Sequence, residues 1–193
     1  MERAFLKGYS GLLNAPTGSG KTFAMFLPFI ADYINKHPND FQTRKNNGLQ
    51  LLWITPLRAL TNDIRKAMQT VVDDLDLPWK VGSRTGDTSA KEKQELRKKQ
   101  PEILLTTPES LHLMIAQKEY PKLFENLQAI VIDEWHELLG SKRGVQIEPW
   151  LDHPPSGDEQ IVAGGEAGGD FAFFAHEERR LDLEPVGGEP FDP

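Results

Sequence analysis

The chain has no cysteine in its 193 residues, which excludes disulfide bridges and thiolate zinc sites. Its five histidines (His37, His112, His136, His153 and His176) include no closely spaced ligand pair, so the metal to be expected is one that arrives with nucleotide. Long apolar runs are missing too. The longest, Phe23 to Ala31, is interrupted by Pro28 and falls well short of the roughly 20 residues of a membrane span. Met1-Glu2-Arg3 leads into no signal-peptide core. No membrane association is expected, and the lack of thiols is compatible with a cytoplasmic location. No internal repeat is visible.

Lysine is absent from the last part of the chain. Residues 147–193 carry 12 Asp and Glu against 2 Arg, a net −10, whereas residues 1–146 carry 17 acidic and 20 basic residues, a net +3. The same segment holds 7 of the 16 Gly and 6 of the 14 Pro, with no sustained helical or alternating period. The reading is a folded unit over 1–148 and an acidic Gly/Pro-rich tail over 149–193, expected to be disordered because it lacks the apolar surface to offset ordering entropy. The whole length suits one globular domain and is too short for two of ordinary size.

Within the folded unit, apolar runs at Ser10 to Asn14, Leu49 to Ile54, Trp79 to Val81, Ile103 to Leu105 and Ala129 to Ile132 alternate with helical patterns. That alternation predicts a parallel α/β sheet with flanking helices. Helices are expected from Lys21 toward His37, with a kink at Pro28, and from Arg58 to Leu75. Two more should open at a Ser89-Ala90-Lys91-Glu92 capping box and at Thr107-Pro108.

Ala15-Pro16-Thr17-Gly18-Ser19-Gly20-Lys21-Thr22 has the form of a Walker A loop, with Ala15 in place of the usual first glycine. Such a loop curls backbone N–H groups around the β-phosphate, its lysine neutralises β/γ charge and its Thr offers a hydroxyl to the metal. Downstream stands Asp133-Glu134-Trp135-His136. The ordered pair is expected by chance on the order of once in ten thousand chains, so a nucleotide triphosphate site is the leading reading. Ligands of parallel sheets bind at the carboxyl ends of strands. The Walker loop, Thr55 to Arg58, Thr85 to Thr88, Thr107-Pro108 and Asp133-Glu134 all follow strands and should therefore share one rim.

These residues carry a resemblance to the superfamily 2 helicases, within them to the large helicase-related (Lhr-like) group, and most closely to its ligase-associated DEXH-box branch. Ala15 to Thr22 resembles motif I, Thr55-Pro56-Leu57-Arg58-Ala59-Leu60 motif Ia, Thr85-Gly86-Asp87-Thr88 the next strand-end motif, Thr106 to Leu111 motif Ib, and Asp133 to Gly144 an extended motif II. The resemblance implies part of a P-loop, RecA-like first motor domain using ATP and Mg²⁺. Thr22 and Asp133 would hold the metal, Lys21 would bind phosphate, and Glu134 would polarise the attacking water. Pro56, Arg58, Gly86, Thr107 and Pro108 would clamp the backbone of a nucleic-acid strand, DNA in preference to RNA, and His136 would couple the two sites. It also implies DNA repair, with a DNA ligase and a nuclease as partners. The Lys91 to Lys99 cluster has Glu92 and Glu95 interleaved and reads as a solvated face rather than a groove.

Past Glu148 the resemblance stops. A family member would continue into a strand bearing a Ser-Ala-Thr type motif III and then a second RecA-like domain with arginine fingers. The chain is accordingly expected to be a fragment of weak activity, with its first strand left as an unpaired sheet edge. The alternative reading is a non-catalytic nucleotide- or nucleic-acid-binding remnant. A GTPase is disfavoured because Asn35-Lys36 lacks a suitably spaced Asp, and a transporter ATPase because no Ser-Gly-Gly-Gln signature occurs.

Overall fold

The computed structural model describes residues 10–15, 18–117, 120–134, 137–138 and 160–165. Its strands are β1 (Gly11–Asn14), β2 (Leu51–Ile54), β3 (Val81–Arg84), β4 (Ile103–Thr106), β5 (Ala129–Ile132) and β6 (Gln160–Gly165). The helices are α1 (Lys21–Lys36), α2 (Arg58–Asp74), α3 (Ala90–Lys98), α4 (Pro108–Ile115) and α5 (Tyr120–Phe124). All six strands are parallel, in the order β1-β6-β5-β2-β4-β3. The expected parallel α/β architecture is present.

Sheet alternation divides the core into two layers. Leu51 and Trp53 of β2 point into one, with Met25, Phe26, Phe29 and Ile30 of α1 and Met68 and Val72 of α2. Leu52 and Ile54 point into the other, with Leu111 and Met114 of α4 and Phe124 of α5. Strands buried on both faces need no polar alternation, which is why β2, β4 and β5 read as continuous apolar runs. Each fully buried Leu, Ile or Phe in these layers contributes roughly 1.5–3 kcal/mol. Helix α1 runs through Pro28, and the hydrogen bond that this residue cannot donate would have gone to the exposed Ala24.

Two expectations are corrected here. Residues 160–165 are a strand rather than part of an irregular tail, and β6 lies between β1 and β5, pairing Gly11 with Val162 and Ile132 with Ala163. Strand β1 is consequently paired on one side, and it stands at the sheet edge among the described strands. The residues on either side of β6, and the expected disorder of the tail beyond it, lie outside the described residues. Among those described, no helix is long and apolar enough to cross a membrane.

Candidate nucleotide site

The four longest helices start in two different ways, and the difference marks the functional rim. Helix α3 is closed by a full capping box: the Glu92 N–H donates to Ser89 Oγ at 3.2 Å and the Ser89 N–H to Glu92 Oε2 at 2.9 Å. The Ser89 hydroxyl, donating to Glu92 Oε2 at 2.7 Å, and then the Ser89 N–H hold the Glu92 carboxyl below its usual range. Helix α4 is capped by Thr107, whose Oγ1 accepts from the Ser110 N–H at 3.4 Å. Helices α1 and α2 have no side-chain cap and no acidic residue in the first turn. Their leading N–H groups and positive dipole ends are left for an outside anion.

At the start of α1, Gly18 and Gly20 have φ of 79° and 86°. Open space surrounds both, so the requirement for glycine there is conformational rather than steric. Lys21 follows, and only 7% of it is exposed. Its Nζ lies 3.5 Å from Glu134 Oε1. Strands β1 and β5 are separated by β6, so this lysine reaches across the carboxyl end of β6 to the acidic strand end. Thr22 is half-buried in the first turn of α1.

Asp133 directly follows β5 as a buried carboxylate whose backbone N–H donates to the Ile54 carbonyl at 2.8 Å. Its pKa is pushed up to about 6 by burial first and by the Glu134 charge second. The Glu134 N–H, donating to Asp133 Oδ1 at 3.0 Å, opposes this, as does the charge of Lys21. The Trp53 indole N–H acts weakly in the same direction, without a full hydrogen bond. Glu134 sits at φ 51°, a left-handed conformation that a non-glycine residue adopts at an energetic cost. A buried, charge-crowded carboxylate beside a buried lysine and a bare helix start fits a magnesium triphosphate, whose cation would relieve Asp133 and whose phosphates would take Lys21.

The rest of the rim is built by strand-end hydrogen bonds. The Thr55 N–H donates to the Thr106 carbonyl at 3.0 Å, and Thr106 Oγ1 to the Arg84 carbonyl at 2.8 Å. The loops after β2, β3 and β4 therefore stand side by side. Arg58 reaches over Gly86 and lies 3.8 Å from Asp87 Oδ1, an acid that sequence reasoning did not single out. Pro56 and Pro108 are buried beneath the surface of these loops. Thr107 is also fully buried, and its hydroxyl donates to Ser110 Oγ at 3.2 Å while capping α4. Its side chain faces inward. Pro16, Thr17 and His136 lie outside the described residues.

With this geometry in place, comparison with known proteins becomes decisive. The DEAD/DEAH box helicase family model matches residues 2–164, which takes in all but the last residue of β6. The chain belongs to the DEAD/DEAH box helicase family. Among relatives of this helicase-family chain, the ATP-dependent helicase Lhr-Core of Sulfolobus acidocaldarius is 38% identical over 152 residues, covering 76% of this chain and 17% of the relative. The Lhr helicase/uracil glycosylase of Escherichia coli is 35% identical over 147 residues, covering 70% and 10%. The solved structure of Mycobacterium smegmatis helicase Lhr bound to ssDNA and AMP-PNP superposes with a TM-score of 0.67 at 28% identity, covering 84% of this chain and 21% of that one. That of the DUF1998 helicase MrfA bound to DNA and AMPPNP gives 0.69 at 27% identity, covering 85% and 22%. The chain thus has the fold of a helicase ATP-binding domain, and spans about a sixth of the length of Lhr-Core.

Proposed function

We propose that this chain is the first motor domain of an ATP-dependent DNA helicase, in which ATP hydrolysis drives movement along or separation of nucleic-acid strands. The observation that carries the reading is the pair of buried Lys21 and half-buried Glu134, 3.5 Å apart, beside the uncapped glycine start of α1. The phosphates would lie against the α1 amides and Lys21. Thr22 and Asp133 would hold Mg²⁺, which when bound neutralises charge developing on the transferred phosphoryl group. Glu134 rests against Lys21, so an incoming triphosphate takes over the lysine and turns the carboxylate toward the attacking water.

A nucleic-acid strand would follow the neighbouring rim past Pro56, Arg58, Gly86, Thr107 and Pro108, gripped by its phosphates and not by its bases. The inward hydroxyl of Thr107 assigns that residue to shaping the loop, with Arg58 and the α2 amides as the direct donors. The DNA held by the Lhr and MrfA structures favours DNA over RNA. A coupling role for His136, a place in DNA repair, ligase and nuclease partners and a cytoplasmic location rest on the family resemblance. An arginine finger contributes about 10³–10⁵ in rate, and none of the described residues is placed as one, so the described site is expected to bind ATP and turn it over slowly.

ATP binding and single-turnover hydrolysis by the wild type, Lys21→Ala and Glu134→Gln test the reading. Lys21→Ala should lose nucleotide, whereas Glu134→Gln should keep it and lose the residual turnover. Equal turnover by wild type and Glu134→Gln would identify a non-catalytic remnant instead.

A further inference from the structure

Gly86, like Thr107, has surroundings that differ from the role given to it. A Cβ built on Gly86 would meet three atoms of the Arg58 guanidinium, Nη1 at 3.1 Å and Cζ and Nη2 at 3.2 Å each. Near-equal distances to three coplanar atoms mean that the flat face of the guanidinium lies against the glycine. Arginine donates hydrogen bonds in its plane, from the edge. A side chain seated by its face keeps that edge available.

We infer that Gly86 acts through Arg58: the missing side chain is a seat that holds the guanidinium face-down at the start of α2, its donor edge turned along the rim toward a nucleic-acid phosphate. Three further observations agree. Helix α2 has neither a side-chain cap nor an acid in its first turn, so Arg58 and the leading amides present one positive surface. The Asp87 carboxylate steadies the guanidinium at 3.8 Å from a position 79% exposed, a loose pair that a phosphate can replace. Gly86 has no left-handed backbone angle, so close approach rather than φ is what excludes a larger residue. Gly86 is then a positioning residue and Arg58 the contact. The inference rests on the proposed nucleic-acid path and adds a dependence of one residue on another.

The experiment is binding of the full 193-residue chain to a labelled single-stranded DNA oligonucleotide, read by fluorescence anisotropy over a salt series. Arg58→Ala should weaken binding about threefold and reduce the salt slope by about 0.7, the loss of one phosphate contact on a single strand. Gly86→Ala should weaken binding about twofold in the wild-type background and have no effect in Arg58→Ala or Arg58→Lys backgrounds, since no planar group remains to be unseated. The displaced atoms are the end of a flexible side chain, so the melting temperature of Gly86→Ala should match wild type. If it does not, Arg58→Lys decides: it should bind nearly as weakly as Arg58→Ala, and lysine equal to arginine would overturn the seat. A Gly86→Ala effect of the same size in all backgrounds, or none in the wild type, would also overturn it. No change in affinity or slope for Arg58→Ala would instead reject the nucleic-acid path itself, and the seat with it.

Discussion

Asp133 stands where burial and a neighbouring carboxylate disfavour a negative charge. Burial and the neighbouring Glu134 push its pKa up to about 6 from an ordinary 3.8, so below about pH 6 the folded chain without ligand favours the neutral carboxyl. Because the folded state binds the proton more tightly, stability falls as pH rises from about 4 to about 6 and stays lower above that. Asp133→Asn imitates the neutral form. It should raise the stability of the nucleotide-free chain by up to about 3 kcal/mol above pH 6, with the gain shrinking toward zero at pH 4. Thermal melts of both proteins across that range check this, and a gain independent of pH would contradict it. Much of this site was legible from residue order, because Lys21, Asp133 and Glu134 stand in motifs whose spacing their chemistry demands. The meeting of Arg58 with Gly86 was not, since all of α2 and β3 lies between them and only the fold juxtaposes the two. The inward turn of Thr107 was equally hidden: a hydroxyl before a helix can cap, clamp or do both, and only burial distinguishes these.

Among the elements, α3 depends most on local chemistry. None of its residues is buried, so little tertiary packing supports it and the Ser89–Glu92 box carries a large share of its stability. Ser89→Ala should cost about 1 kcal/mol, seen as faster amide hydrogen exchange confined to residues 90–98 while exchange in β2 and β5 is unchanged. The boundaries of α1, α2, α3 and α4 were close to readable because Gly20, Ser89 and Thr107-Pro108 are start signals and the apolar period of α1 is strong. Strand β3 was misplaced. An apolar run marks Trp79 to Val81, yet the strand is Val81–Arg84, a sheet edge that includes Gly82 and Ser83. Trp79 instead packs against Phe29 and Tyr33, ring centroids 6.0 and 4.3 Å away. Burial of the Tyr33 hydroxyl in that cluster raises its pKa above the usual 10.

At the scale of the molecule, β6 is the feature that sequence reading missed most completely. Its residues, Gln-Ile-Val-Ala-Gly-Gly, include only two β-branched side chains and stand among glycines, prolines and acids, so neither period nor propensity marks them. What defines the strand is a vacancy between β1 and β5 lined with unpaired backbone groups on both sides, a tertiary constraint. Being hydrogen-bonded to both neighbours, β6 should tolerate no proline at its centre. Val162→Pro removes a ladder donor and should cost about 3 kcal/mol or more, read as a lowered midpoint in urea and as loss of ATP binding by the β1 loop. Unchanged stability would mean that β6 is dispensable to the sheet.

That same strand orders the birth of the protein. Gly11 is among the first described residues made and Val162, its partner, among the last. A ribosome adding about 5–20 residues per second therefore releases the Walker segment many seconds before anything exists for it to pair with. Strands β2 to β5 can assemble early from nearby stretches of chain, while the phosphate loop is closed into the sheet only by the longest-range contact of the fold. Competence to hold ATP is in this way acquired only once β6 has been made, later than the pairing of β2 to β5.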